Sequence, residues 1–108
     1  MDTPELGLVI AERHLELIDA KGVSTPCKVK VGAPVPDENG DWACPYAIEA
    51  GERVQRFRTY GIDSMQALIL TLRTLDTEIE VAAQKLGATV RYLDGEHESV
   101  FNPDGISD

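Results

Sequence analysis

At 108 residues, 43% hydrophobic and 27% charged, the chain has the composition of one globular domain, which excludes collagen-like repeats and wholesale disorder. Ten Lys and Arg against nineteen Asp and Glu leave a net charge of -9. That balance repels a polyanion at long range, because nucleic-acid affinity comes largely from cations displacing counterions, so DNA and RNA are not expected partners. No run approaches the ~20 apolar residues that span a bilayer, and the acidic start Met1-Asp2-Thr3-Pro4-Glu5 lacks the basic and apolar regions of a secretory signal. Neither a membrane partner nor export is expected. The expected location is therefore cytoplasmic, with Cys27 and Cys44 as free thiols; they would bond under oxidation only if their strands bring them close.

A first strand is predicted over about 8–19, where Leu15 and Leu17 alternate with His14, Glu16 and Ile18, ending at the turn Asp19-Ala20-Lys21-Gly22. A second, about 24–33, sets Cys27, Val29 and Val31 on one face and Lys28 and Lys30 on the other. Two prolines and an Asn-Gly pair make 34–41 a loop. The third strand, about 42–50, alternates Trp42, Cys44, Tyr46 and Ile48 with Ala43, Pro45, Ala47 and Glu49. Proline cannot donate to a ladder, so Pro45 predicts a bulge or an unpaired edge. Gly51-Glu52 turns into a fourth strand over about 53–60, with Val54, Arg56, Arg58 and Tyr60 opposite in face to Gln55, Phe57 and Thr59.

The period then changes. From Asp63 or Ser64 to Leu86, apolar residues at Met65, Leu68, Leu72, Leu75, Ile79, Ala82, Ala83 and Leu86 are spaced by threes and fours, as one helix face requires. Asp63 with Gln66 three positions on reads as a capping box, and Gly87 as the stop. Such a helix runs roughly 35 Å at 1.5 Å per residue. Residues 88–93 form a last short strand, and the acidic stretch 94–108 a flexible tail. The predicted fold is α+β: an antiparallel meander of four to five strands packed on one long C-terminal amphipathic helix, within one domain of residues 1–93. Its predicted core comprises Val29, Val31, Trp42, Tyr46, Ile48, Phe57, Leu68, Leu72, Leu75, Ile79 and Leu86.

Gly61-Ile62-Asp63-Ser64-Met65-Gln66-Ala67-Leu68 resembles the phosphopantetheine attachment site of acyl carrier proteins, which implies a modified Ser64. Carrier domains are helical bundles, however, and four strand-patterned stretches precede this segment; a capped helix start with a buried stripe explains the same residues. A second resemblance is wider. Gly40-Asp41-Trp42, Cys44-Pro45-Tyr46 and Tyr60-Gly61-Ile62-Asp63-Ser64 with Gln66-Ala67-Leu68 are similar to a family of small bacterial domains of unknown function, spanning roughly residues 10–95. That resemblance implies a bacterial cytosolic protein with strands followed by one long helix, and brings no activity with it.

Chemistry-bearing patterns are sparse. His14 and His97 lack metal-ligand spacing to each other or to a cysteine. The run Asp94-Gly95-Glu96-His97-Glu98 reads as a solvated acidic turn, and no local signature supports a nucleophilic pair of Cys44 with His14. Nine scattered glycines form no phosphate loop. No catalytic residue, metal or cofactor is therefore expected. Two surfaces carry the functional expectations. Lys28, Lys30, Arg56 and Arg58 converge on one sheet face if strands two and four point them the same way, offering a site for a small anion or an acidic segment. Ala67, Leu70, Thr74, Thr77 and Val81 form an uncharged seam on the far side of the helix, spaced for a partner helix. These point first to a non-enzymatic interaction module that forms a homodimer and binds another protein, such as a basic one that its acidity would attract. A small anionic-ligand binder or enzyme using the basic face is the alternative, and the carrier protein the third reading.

Overall fold

A computed structural model describes residues 6–92 and 95–96. Seven strands and one helix follow in the order β1 (Val9–Ile18), β2 (Ser24–Gly32), β3 (Val35–Pro36), β4 (Trp42–Ala50), β5 (Arg53–Gly61), α1 (Ser64–Leu86), β6 (Thr89–Tyr92) and β7 (Gly95–Glu96). All pairings are antiparallel, and β4 is central: β5 lies along one edge, while β2 and then β3 share the other. Beyond β2 come β1, β6 and β7. The α+β meander with a long helix after its fourth long strand is thus present, and the two-residue strands β3 and β7 extend it. Pairing of β7 with β6 orders two residues of the expected tail, whose remaining residues lie outside the described ones, as does His97.

Local chemistry explains the joints. Asp19 closes the β1–β2 turn by accepting from the backbone N–H groups of Lys21 and Val23, each at 2.9 Å. Gly51 takes the left-handed conformation (φ 61°) in the two-residue β4–β5 turn. At the helix start Asp63 accepts from the Gln66 N–H at 2.7 Å, and the Gln66 side chain accepts from the Ile62 N–H at 2.8 Å. That is the capping box displaced by one residue at its second bond. Gly87 (φ 61°) ends the helix, returning its N–H to the Ala83 and Gln84 carbonyls.

Pro45 pairs in regular register with Arg58 of β5, so no bulge forms there. On the other side, β2 pairing stops at Tyr46 and β3 pairing starts at Ala43. The missing N–H falls at the junction between two successive neighbours, an interruption inside the sheet rather than at an outer edge.

The core lies between one sheet face and α1. Leu15, Leu17, Cys27, Val29, Val31, Cys44, Tyr46 and Ile48 from the sheet meet Ala67, Leu75, Ile79 and Ala83. Tyr46 and Phe57 rings sit 5.4 Å apart. Trp42, Phe57 and Leu68 pack partly buried around this centre. The helix face differs from expectation: its buried line is Ala67, Thr71, Leu75, Ile79 and Ala83, while Met65, Leu72 and Leu86 are exposed. A strict i+4 line drifts by about 40° per step around a helix of 3.6 residues per turn, so the buried face turns as α1 crosses β5, β4 and β6. Small residues hold that line because the helix start lies directly on the sheet: a Cβ on Gly61 would stand 2.5 Å from the Ala67 nitrogen. Sequence periodicity favours the large residues and so turns the predicted stripe toward Met65, Leu72 and Leu86, away from this line.

Candidate functional site

Register decides where the basic residues lie. Lys30 of β2, Ala47 of β4 and Arg56 of β5 fall in one row, and Lys28, Glu49 and Val54 in the next. Pro45 with Arg58 and Ala43 with Tyr60 continue the same face. Period-2 alternation puts all of these away from the helix, since Val29, Val31, Tyr46 and Phe57 face it. Lys28, Lys30, Arg56 and Arg58 therefore share the sheet face away from the helix.

Between the two cationic strands, β4 presents Ala43, Pro45 and Ala47, all buried by their neighbours. The outcome is a staggered trough along β4: Ala47 lies between Lys30 and Arg56, Glu49 between Lys28 and Val54, and Pro45 beside Arg58. Along β2 and along β5, its two rails, the cations repeat at ~7 Å, and the rails stand ~10 Å apart, two strand spacings. Across β2, β4 and β5 this face carries those four cations and one carboxylate, Glu49, which pairs with Lys30 at 3.0 Å. Among the described residues, neither Arg56 nor Arg58 has a carboxylate within 4.0 Å. Next to the trough, His14 donates from Nε2 to Glu12 at 2.7 Å. This bond first, and then Lys28 and Lys30, hold the Glu12 carboxyl below its usual range. At the other end the trough opens into a depression of about 560 Å³ lined by Val35, Pro36, Asp37, Glu38, Ala43, Pro45 and Arg58.

The helix seam is not one exposed face. Ala67 is fully buried beneath Gly61, and Leu70 and Thr74 are half-buried. Thr77 and Val81 alone are exposed. The prediction placed the seam opposite a stripe that itself is rotated, so it falls on the flank of the true buried line.

The thiols are inert by placement. Cys27 lies opposite Ala50, six residues along β4 from Cys44, a separation of ~20 Å, beyond the ~7 Å limit between Cα atoms for a disulfide. Burial pushes the Cys27 thiol up to about 11 and raises that of Cys44, which Thr71 partly opposes. Cys44 and His14 occupy opposite faces of the sheet, so no nucleophile–base pair forms between them. Among the described residues no group of three or more His, Cys, Asp or Glu could hold a metal, and no helix is long and apolar enough to cross a membrane.

The carrier resemblance is not borne out. Ser64 opens a helix that rests on a seven-stranded sheet, and its surrounding motif is accounted for by the Asp63 cap, the Gln66 bond to Ile62 and the Gly61–Ala67 contact. Sequence reasoning missed one further feature, a corner where β1 extends past β6. Among the described residues, pairing with β6 covers Glu16, Leu17 and Ile18, and the apolar run Leu8-Val9-Ile10 at the other end of β1 was the signal for it. No curated protein and no solved structure matches this chain. A family model for a domain of unknown function, DUF6968, matches residues 11–102, nearly all of the sheet and the whole helix. With that much of its length matched, the chain belongs to the DUF6968 family of domains of unknown function.

Proposed function

We propose that this domain is a non-enzymatic interaction module whose outer sheet face receives an acidic, extended protein segment. The observation that carries this reading is the trough: two pairs of cations flanking Pro45, Ala47 and Glu49 of β4, with Glu49 as the one carboxylate on this face of β2, β4 and β5, in a chain of net charge -9. Alternate residues of an extended segment repeat at ~7 Å on each side, which matches the spacing of Arg56 with Arg58 and of Lys28 with Lys30. Guanidinium groups bind carboxylates bidentately, so the β5 rail supplies most of the specificity. A small anion, the alternative ligand, would engage one pair of cations where a segment engages both rails. Net charge alone argues for a basic partner, whereas the grouping of the cations on one face supports an acidic one. Two buried, unpaired thiols fit a reducing, cytoplasmic setting for this interaction.

Fluorescence anisotropy with a labelled Asp-Glu-Asp-Glu-Asp-Glu peptide tests the reading. Binding at low salt, weakened at high salt and reduced at least tenfold by Arg56→Ser with Arg58→Ser, is the expected result. Absence of binding at low salt, or binding unchanged in that variant, refutes it. Inorganic pyrophosphate serves as the small-anion arm: saturable binding to it without peptide binding would establish the alternative instead.

A further inference from the structure

The depression at the end of the trough has a chemistry of its own. Rows along β4 follow one another at ~7 Å: Lys30, Ala47 and Arg56, then Pro45 and Arg58, then Val35, Ala43 and Tyr60. The last row is uncharged. Val35 of β3 and Tyr60 of β5 stand on either side of the buried Ala43, and each is 50% exposed. Gly32 takes the place after Lys30 on β2, and the Leu6 main chain lies over it: a Cβ there would strike the Leu6 carbonyl oxygen and stand 2.9 Å from the Pro45 ring. Among the described residues Arg58 is thus the one cation beside Pro45, and it reaches into the depression over Val35, Ala43 and Pro45.

Asp37 and Glu38 close that depression. The turn after β3 fixes them, with the Asp37 N–H donating to the Asp41 carbonyl at 2.7 Å and the Gly40 N–H to the Asp37 carbonyl at 3.1 Å. At the other end of the trough, Glu49 stands between Lys28 and Val54. A ligand carboxylate is therefore favoured over the two rows that hold Lys30, Arg56 and Arg58. It meets Glu49 on one side of them and is repelled by Asp37 and Glu38 on the other.

We infer that the acidic segment carries an aromatic side chain two residues beyond its last acidic one, seated in this depression between Val35 and Tyr60. The inference rests on the acidic-segment reading and narrows it to one pattern: acid, any residue, acid, any residue, aromatic, in one of the two chain directions. Spacing supports it, since alternate residues of an extended segment repeat at the same ~7 Å as the rows. Charge supports it too. Arg58 has no carboxylate within 4.0 Å among the described residues and is placed to take the last acid, whereas the row beyond it offers aliphatic and aromatic surface and no cation. Pro45 and Tyr60 present flat faces against which a ring packs. Removing about 60 Å² of that ring from water corresponds to about tenfold in affinity.

Fluorescence anisotropy at low salt on the full chain tests this with labelled peptides of equal length. They are Gly-Glu-Ser-Glu-Ser-Phe-Gly, its reverse Gly-Phe-Ser-Glu-Ser-Glu-Gly, and the same pair with Ser or Glu in place of Phe. In one direction the Phe peptide is expected to bind about tenfold tighter than its Ser counterpart, and the Glu counterpart no tighter than the Ser one despite its extra charge. Val35→Ser with Tyr60→Ser, both at exposed positions, should bring the Phe and Ser peptides to equal affinity while the circular dichroism spectrum stays native. Acidic peptides that bind equally with Phe and with Ser in both directions overturn the inference and leave the acidic-segment reading standing. A preference for Phe that survives the double variant overturns it as well, as does a Glu peptide that binds tighter than the Phe one. Binding of none of the peptides overturns the inference together with the reading on which it rests.

Discussion

Replacing Gly61 by alanine tests how closely the helix rests on the sheet. The added Cβ would lie 2.5 Å from the Ala67 nitrogen, 2.9 Å from its Cα and 3.0 Å from the Gln66 carbonyl carbon. All three are backbone atoms in the first turns of α1, so no flexible side-chain end can yield. Relief requires the helix start to lift from β5, opening the packing around Ala67. Overpacking of this kind costs about 1–3 kcal/mol, and contact with rigid backbone puts Gly61→Ala toward the upper end. Reduced freedom of the unfolded chain returns roughly 0.5 kcal/mol. The net expectation is about 2 kcal/mol, or a fall in Tm of ~8–16 °C for a domain of this size. Trp42, the only tryptophan and the strand partner of Gly61, reports urea unfolding by fluorescence directly at the perturbed contact. Gly87→Ala is the control: its φ of 61° is left-handed but its surroundings are open, so it loses only about 1 kcal/mol. Equal stability of Gly61→Ala and the parent, or a larger loss at Gly87, would refute the close approach.

Other expectations follow from burial and capping. Leu75→Ala, at a fully buried position, should lose about 3 kcal/mol in urea unfolding, while Leu72→Ala should lose under about 1 kcal/mol in the monomer because it is exposed; similar losses would contradict the rotated helix face. Asp63→Ala removes the acceptor for the Gln66 N–H and should lower stability by about 1 kcal/mol, with Asp63→Ser largely restoring it. Native protein should resist a thiol reagent near neutral pH and react at both cysteines in denaturant; fast native labelling would count against the buried thiols. Burial raises Cys27 from 9.0 to about 11 and Tyr46 from 10.0 to about 12, the latter aided by Glu78 and opposed by Thr59. Each proton leaves later in the folded chain than in the unfolded one. Their stabilisation is thus complete below about pH 9 and is lost as pH rises through 11 and 12; a urea midpoint that stays constant or rises over that alkaline window would contradict the assignment.

Alternation made the sheet legible because a strand with one buried face must repeat with period two. Cys27, Val29 and Val31, and then Cys44, Tyr46 and Ile48, announce which way β2 and β4 face, and hence where Lys28 and Lys30 point. Helix boundaries were equally clear from Asp63 and Gly87, whose conformations few other residues support. The helix face was not, because its buried line consists of Ala67, Thr71 and Ala83 as much as of Leu75 and Ile79. Proximity to the sheet selected small residues there, and a reading weighted by hydrophobicity prefers Met65 and Leu72. That single rotation displaced the predicted seam. For the basic face, composition supplied the four cations, but only the register through β4 could show that they stand on either side of that strand, with Glu49 among them. Pro45 was misread for a related reason: its missing donor is harmless where two neighbouring strands change over, a circumstance that depends on pairing partners remote in sequence.

The attachment of β6 to β1 has a consequence for the order in which the molecule opens. It joins residues 16–18 to 89–91, so three residue pairs close a loop of nearly the whole described chain, whereas β1 with β2 and β4 with β5 close through short turns. Closing a long loop carries the larger entropic cost, and few bonds are formed in return. Hydrogen exchange should therefore reach the β6 amides through partial openings that leave the β4–β5 hairpin protected. Such an opening releases three residues of β1 without unfolding the meander, and so links the stability of the C-terminal strand β6 to how far β1 is held on its second side.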